Sequence, residues 1–213
     1  MLENHSITNE KLQHKALFKE DRVISMLIDK VDILKWKSTD NVFQDIMSCI
    51  IEQQIHYRSS KNIFQNLMME AGLEELNMNN FYLFEPVLKS VRLSEAKYNA
   101  VAETVHFFNR RSINWHELNE QEVRMELQEI RGIGRWTVDM ILLFTLRHPD
   151  IFPCDDYHLS QIMPKLYGLD TKDKLAKTMM AIASQWQGYR SLGVLYMLAW
   201  KNQNLKIRKG KPS

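Results

Sequence analysis

Apolar residues in this chain recur at three- and four-residue intervals, and nowhere in the strict alternation of a half-buried strand. That spacing, more than any other feature, limits what the chain can fold into. "NVFQDIMSCIIEQQI" places its large side chains on one helical face from about Val42. In "EAKYNAVAETVHFF", Ala96, Ala100, Val101, Val105 and Phe108 share a face, with Ser94 placed to cap the first turn. Phe18, Val23, Met26 and Leu27 fit one short helix, and "QEVRMELQEI", "WTVDMILLFTL", "YHLSQIMPKLY", "KDKLAKTMMAIASQW" and "RSLGVLYMLAW" follow in turn. Only 7 glycines and 5 prolines interrupt 213 residues, so hairpin turns between strands are not provided for. The fold class expected is all-α, with roughly nine or ten short helices. The basic tail "KIRKGKPS" reads as a frayed end.

Composition excludes several classes of function. The net charge is only +2, so nucleic acid would have to be held by local geometry rather than by a global basic field. Two cysteines, Cys49 and Cys154, are too few for a disulfide framework, an iron–sulfur cluster or an all-cysteine zinc site. His148 and His158 flank a loop near Cys154, but without regular ligand spacing, so zinc is not expected. The longest apolar run, Met140 to Leu146, is too short to span a bilayer, and the polar N-terminus is not a secretion signal. A soluble, cytoplasmic protein is expected.

The helical pattern is broken once with emphasis, at Gly132-Ile133-Gly134. No buried strand precedes these glycines, so they are not a dinucleotide fingerprint, and no Gly-Lys-Ser/Thr follows to make a nucleotide phosphate loop. What remains is helix, tight hairpin, helix. It is either a plain turn or a backbone whose bare amides, at the next helix's N-terminus near Trp136, suit an anion such as a DNA phosphate. Further on, Asp155 and Asp156 are adjacent before a helix that begins near Tyr157. One of them reads as a helix cap, and the other as facing a cleft. Trp136 and Tyr157 each read either as core aromatics or as walls of a pocket.

"LQEIRGIGRWTVDMILLF" followed by "DIFPCDDYHL" resembles the helix–hairpin–helix (HhH-GPD) DNA glycosylase superfamily, in its alkylpurine branch of DNA-3-methyladenine glycosylase II type. "IIEQQIHYRSSKNIF" resembles that family's DNA-penetrating segment and "WQGYRSLGVLYMLAW" its closing helix; the similarity covers roughly residues 40 to 200. The resemblance implies two helical lobes with the active-site cleft between them. One spans 40–150 and ends in the helix–hairpin–helix at about 121–147; the other unites 1–39 with 151–213. It implies a monofunctional glycosylase that flips alkylated purines such as 3-methyladenine and 7-methylguanine out of the duplex. Hydrolysis of the N-glycosidic bond then leaves an abasic site for base-excision repair. Asp156 is the implied catalytic carboxylate. Trp136 stands where bifunctional members carry a nucleophilic lysine, which implies no lyase activity. Trp136, Tyr157, Met140 and Leu198 fall on base-pocket positions, with Trp200 two places beyond the last. Gln53, Gln54, Ile55 and His56 supply the wedge, Gln54 foremost, while Gly132, Gly134, Arg135, Arg58 and Lys61 meet phosphates. Backbone carbonyls of Gln128 and Ile130 match a monovalent cation site, Na+ or K+; no other cofactor is implied. The partner is double-stranded DNA with damaged bases, met by a monomer, nucleoid-associated in a bacterium. Two alternatives stay open: a glycosylase for oxidised or mismatched bases, and a non-catalytic helix–hairpin–helix DNA-binding protein. A carboxylate retained after the hairpin argues against the second.

Overall fold

A computed structural model describes residues 2–33, 38–52, 63–170 and 174–209, the side chains of 2–9 and 205–209 excepted. Among these residues there are eleven α-helices and no strand. They are α1 (Leu2–Leu17), α2 (Arg22–Lys30), α3 (Val42–Glu52), α4 (Ile63–Glu70), α5 (Phe81–Ser90), α6 (Glu95–Arg110), α7 (Glu120–Gln128), α8 (Arg135–Met140), α9 (Tyr157–Tyr167), α10 (Leu175–Ala183) and α11 (Arg190–Lys209). The chain divides into two compact units, Met1–Trp36 with His148–Ser213, and Lys37–Arg147.

In the unit made from both chain ends, α11 packs on α2 and α9. Ile24, Leu27, Leu159, Met163, Trp186, Val194 and Met197 are buried in it. Each such side chain contributes about 1.5–3 kcal/mol by leaving water. The buried carboxylate of Asp21 organises this core. Its Oδ1 accepts the N–H groups of Val23 and Ile24, both at 2.9 Å, and so caps α2. Its Oδ2 accepts the Tyr167 hydroxyl at 2.8 Å and the Trp186 indole N–H at 2.9 Å. One side chain thus starts a helix and satisfies two aromatic donors from the other end of the chain.

The central unit packs α3 against α4, α6 and α8. Phe43, Ile46, Ile50, Phe64, Phe84, Val101, Phe107 and Leu142 fill it. After α8 the helix widens into a π-helical segment, Ile141–Thr145, closed by the Leu146 N–H donating to the Ile141 carbonyl at 2.9 Å. Thr145 donates its hydroxyl to Asp45 on α3 at 2.6 Å, and Thr39 donates to the same oxygen at 2.7 Å. Burial raises the Asp45 carboxyl from its ordinary value, partly offset by those two hydroxyls. On the next turn, burial beside Asp45 and Glu52 pushes the Cys49 thiol up to about 12, which makes it a poor nucleophile.

The structure corrects several local expectations. The first sixteen-residue helix, α1, carries too weak an apolar pattern to be recognised, and Phe18 lies in the turn after it rather than in one helix with Val23. Met26 is exposed. In α6 the buried set is Ala100, Val101, Thr104 and Phe107, one position round from the expected face, with Ala96 exposed. Ser94 sits at the N-cap but makes no side-chain capping bond. Residues 206–209 of the basic tail belong to α11.

Candidate functional site

The glycine hairpin is built to a fixed shape before any ligand is considered. Asn119 and Glu122 form a reciprocal capping box at the start of α7: Asn119 Oδ1 accepts from Gln121 and Glu122, and Glu122 accepts the Asn119 N–H at 2.8 Å. At the far end of α7, Arg111 pairs with Glu126 and, at 2.7 Å, with Glu129, tying α6 to α7. The turn itself closes with the Ile133 N–H donating to the Ile130 carbonyl at 3.0 Å, and Ile130 and Ile133 are buried beneath it.

The two glycines do different things. Gly132 has φ +94°, and a Cβ on it would lie 2.8 Å from the Ala100 Cβ of α6. Backbone conformation and close approach both require glycine there. Gly134 is extended, at φ −92° and ψ 170°, and a Cβ on it would meet nothing within 4 Å. Packing does not account for Gly134, whereas it does account for Gly132. Arg131, Gly132, Gly134 and Arg135 are all exposed. A groove of about 520 Å³ lies against Arg131 and Gly132, with Ala96, Asn99, Ala100 and Glu103 of α6 on its other side. Trp136 is half-buried on the first turn of α8, and Met140 is buried on its last.

Beneath the hairpin lies a residue that sequence reading passed over. Asp139 on α8 is 2% exposed. Its Oδ1 stands 2.7 Å from Arg124 Nη2 of α7, a close ion pair rather than a well-directed hydrogen bond, and its Oδ2 is 3.8 Å from Arg135 Nε. Arg124 Nε also donates to Glu120 at 2.8 Å. Burial raises the Asp139 carboxyl, against the pull of both arginines. The four-residue spacing of Arg135 and Asp139 is a visible signal of a pair; the spacing of Arg124 and Asp139 is not.

A second group of candidate residues lies in the unit made from both chain ends. Its loop is fastened to the start of α11. Arg190 donates Nε and Nη2 to the two oxygens of Asp150 at 2.6 and 2.8 Å. Burial would raise the Asp150 carboxyl, but this fork and the N–H groups of Arg190 and Gly188 hold it below the usual range. Ser191 Oγ donates to the His148 carbonyl at 2.5 Å and accepts the Ile151 N–H at 2.9 Å. Ile151 and Phe152 then turn inward. The Asp156 N–H bonds the Pro153 carbonyl, and α9 begins.

Of the adjacent aspartates, Asp156 is the N-cap: its Oδ1 accepts the Leu159 N–H at 2.9 Å, and the residue is 6% exposed. Asp155 is the exposed one. The cap and the implied catalytic carboxylate are therefore one side chain, not two. Tyr157 is 66% exposed, which removes its reading as a core tyrosine. Leu198 and Trp200 are half-buried on α11, whose Lys201 Nζ contacts His158 Nδ1 on α9. Gln53, Gln54, Ile55, His56, Arg58 and Lys61 lie outside the described residues. Among the described residues, no cluster of three His, Cys, Asp or Glu side chains is arranged to hold a metal ion, and no helix is long and apolar enough to cross a membrane.

Comparison with known proteins spans both groups of residues. Residues 47–187 match the family model described as HhH-GPD superfamily base excision DNA repair protein. A Bacillus subtilis (strain 168) relative named "Putative DNA-3-methyladenine glycosylase YfjP" is 27% identical over 173 residues, 76% of this chain; the chain spans 59% of that relative's length. The crystal structure of DNA-3-methyladenine glycosidase from Bacillus halodurans is similar at a TM-score of 0.67 and 22% identity, covering 86% of each chain. The Schizosaccharomyces pombe 3-methyladenine DNA glycosylase in complex with abasic DNA is similar at 0.59 and 18% identity, covering 86% of this chain and 88% of that one.

Proposed function

The chain belongs to the HhH-GPD superfamily of base excision DNA repair proteins, and on that premise we propose that it is a monofunctional DNA glycosylase for alkylated purines. It flips a damaged nucleotide from double-stranded DNA, hydrolyses its N-glycosidic bond and leaves an abasic site. The observation that carries this reading is the buried carboxylate of Asp156 at the N-terminus of α9, inside the segment the family model matches. Phosphate binding alone has no use for its charge, since a neutral residue would cap α9 as well.

Breaking a base–sugar bond builds positive charge on the deoxyribose as the base departs. An ionised carboxylate beneath that sugar stabilises the charge and orients or deprotonates the attacking water. A base such as 3-methyladenine or 7-methylguanine already carries positive charge and leaves without a strong general acid. Electron-rich aromatic faces favour such cations; Trp136 and the exposed Tyr157 supply them, with Met140 and Leu198 in place of further aromatics. A base inside the duplex has to be rotated out first, and Gln53 to His56 fill the vacancy. The bare backbone at Gly132 and Gly134, with Arg135 and Arg58, grips phosphates without reading sequence. A monovalent cation at the Gln128 and Ile130 carbonyls would brace this turn; Ile130 already gives one lone pair to Ile133 and keeps a second. With Trp136 in place of an amine there is no Schiff base and no strand cleavage, and the protein works as a monomer.

The test is release of 3-methyladenine or 7-methylguanine from methylated duplex DNA, compared between the wild type and Asp156→Asn. Release by the wild type, lost in the variant, with strands broken only after alkali, is the expected result. Binding of DNA without release of any lesion across a panel would instead make it a non-catalytic binding protein. Release of oxidised bases would move the substrate class.

A further inference from the structure

Asp139 has two arginines within reach and divides itself unequally between them. Arg124 closes to 2.7 Å, while Arg135 stays at 3.8 Å with 55% of its side chain in solvent. Attraction between charges falls with distance and with the dielectric around them, so the nearer and less exposed Arg124 takes most of the carboxylate's charge. Arg124 is held for this task by its planar fork, Nε on Glu120 and Nη2 toward Asp139. Without that pairing, Asp139 would be a buried charge with one cation left to satisfy it, and burial penalises such a charge heavily. That cation is Arg135, at the exposed edge of the hairpin.

We propose that Arg124 is a positioning residue for DNA binding: by neutralising buried Asp139, it leaves Arg135 available to a backbone phosphate. Arg124 itself makes no contact with DNA. Its influence passes through the carboxylate, which in its absence draws Arg135 down from the hairpin edge. The inference rests on the reading of the hairpin as a phosphate grip, and it adds a residue on the other hairpin helix to that grip.

Counting phosphate contacts tests it. The salt dependence of affinity for an undamaged duplex falls by about 0.9 in slope for each phosphate contact removed. In Arg124→Met the slope drops by about one contact, so that the affinity lost between about 50 and 200 mM salt is about threefold smaller than in the wild type. In Arg124→Met with Asp139→Asn the carboxylate's charge is gone as well, Arg135 is released and the wild-type slope returns. A merely structural role for Arg124 would lower the amount of competent protein equally at every salt concentration and leave the slope alone. An unchanged slope in Arg124→Met overturns the proposal, as does a reduced slope that the second substitution fails to restore. Thermal melting checks folding; should Arg124→Met not fold, Arg124→Lys replaces it. A single ammonium cannot hold Glu120 and Asp139 together, so an intermediate slope is expected there, and a wild-type slope overturns the proposal. Undamaged DNA needs no base release, so failure of the glycosylase chemistry leaves this test intact. A wild-type protein that binds no duplex overturns both.

Discussion

Asp139 in the central unit and Asp150 in the unit made from both chain ends each face an arginine, yet they respond in opposite directions. Asp150 is about a quarter exposed, at 24%, and receives a two-pronged guanidinium together with backbone N–H groups; its carboxyl is held down. Asp139 is deeper, has a single close guanidinium edge, and its carboxyl is raised. Proximity of an arginine therefore does not settle a carboxylate's state. The count of donors has to be set against the depth of burial. Asp156 is as hidden as a core residue, and its Oδ1 accepts the Leu159 N–H at the start of α9. Asp139 and Asp150 direct their charge at side-chain cations. Asp156 directs an oxygen at a helix end, the arrangement on which its proposed catalytic role rests.

The largest expected break in this comparison is Asp156→Asn. Asparagine caps a helix about as well as aspartate, so the melting temperature should stay close to the wild type. Base release should fall at least about a hundredfold. Equal activity in the variant would refute the catalytic assignment, and a large fall in melting temperature would show that the carboxylate's charge serves the fold.

Next comes the buried pair. Asp139→Ala removes the close buried partner of Arg124, which keeps Glu120, and should cost about 1–3 kcal/mol in urea unfolding. Replacing both partners, as in Arg124→Met with Asp139→Asn, should cost less than the sum of the single losses, because no buried charge is left without its partner.

The glycines sharpen the contrast within the hairpin. Gly132→Ala meets both a positive φ and Ala100, and should lose about 1–3 kcal/mol of stability. Gly134→Ala has room and an ordinary backbone, so its stability should change by less than about 0.5 kcal/mol. If the exposed backbone there grips phosphate, duplex affinity measured by fluorescence anisotropy should nevertheless fall in Gly134→Ala.

Last is Asp150→Asn, which should cost about 1 kcal/mol at neutral pH. Because the folded Asp150 carboxyl lies below its unfolded value, its contribution is complete above about pH 4 and disappears as pH falls through the folded value. The melting-temperature gap between wild type and variant should accordingly close under acid. Asp139 has the opposite sign: its raised carboxyl makes ionisation costly, and acid relieves that cost.

The all-α class was legible because helix periodicity is local: each turn of α3 or α9 shows its apolar residues within a few positions of one another. The hairpin was legible as a break in that pattern, and Asp156 through the resemblance its surroundings carry. Other features had no such signal. α1 is polar along most of its length, and the orientation of Tyr157 cannot be read from its place on a helix. Gly132 was read as bare backbone for a ligand, while its tight approach to Ala100 depends on a helix some thirty residues earlier in the chain.

The sequence alone determined that most of the chain is helical and where two glycines allow a turn, since these depend on backbone preferences and neighbours within one or two turns. Tertiary structure decided which polar groups are buried and what satisfies them. Asp21 meets Trp186 across 165 positions of chain, Asp45 meets Thr145 across 100, and Asp150 meets Arg190 across 40. Arg124 and Asp139 meet only because the hairpin folds one helix back on the other. A buried polar group must find a partner wherever packing brings one, and one-dimensional spacing carries no record of that choice.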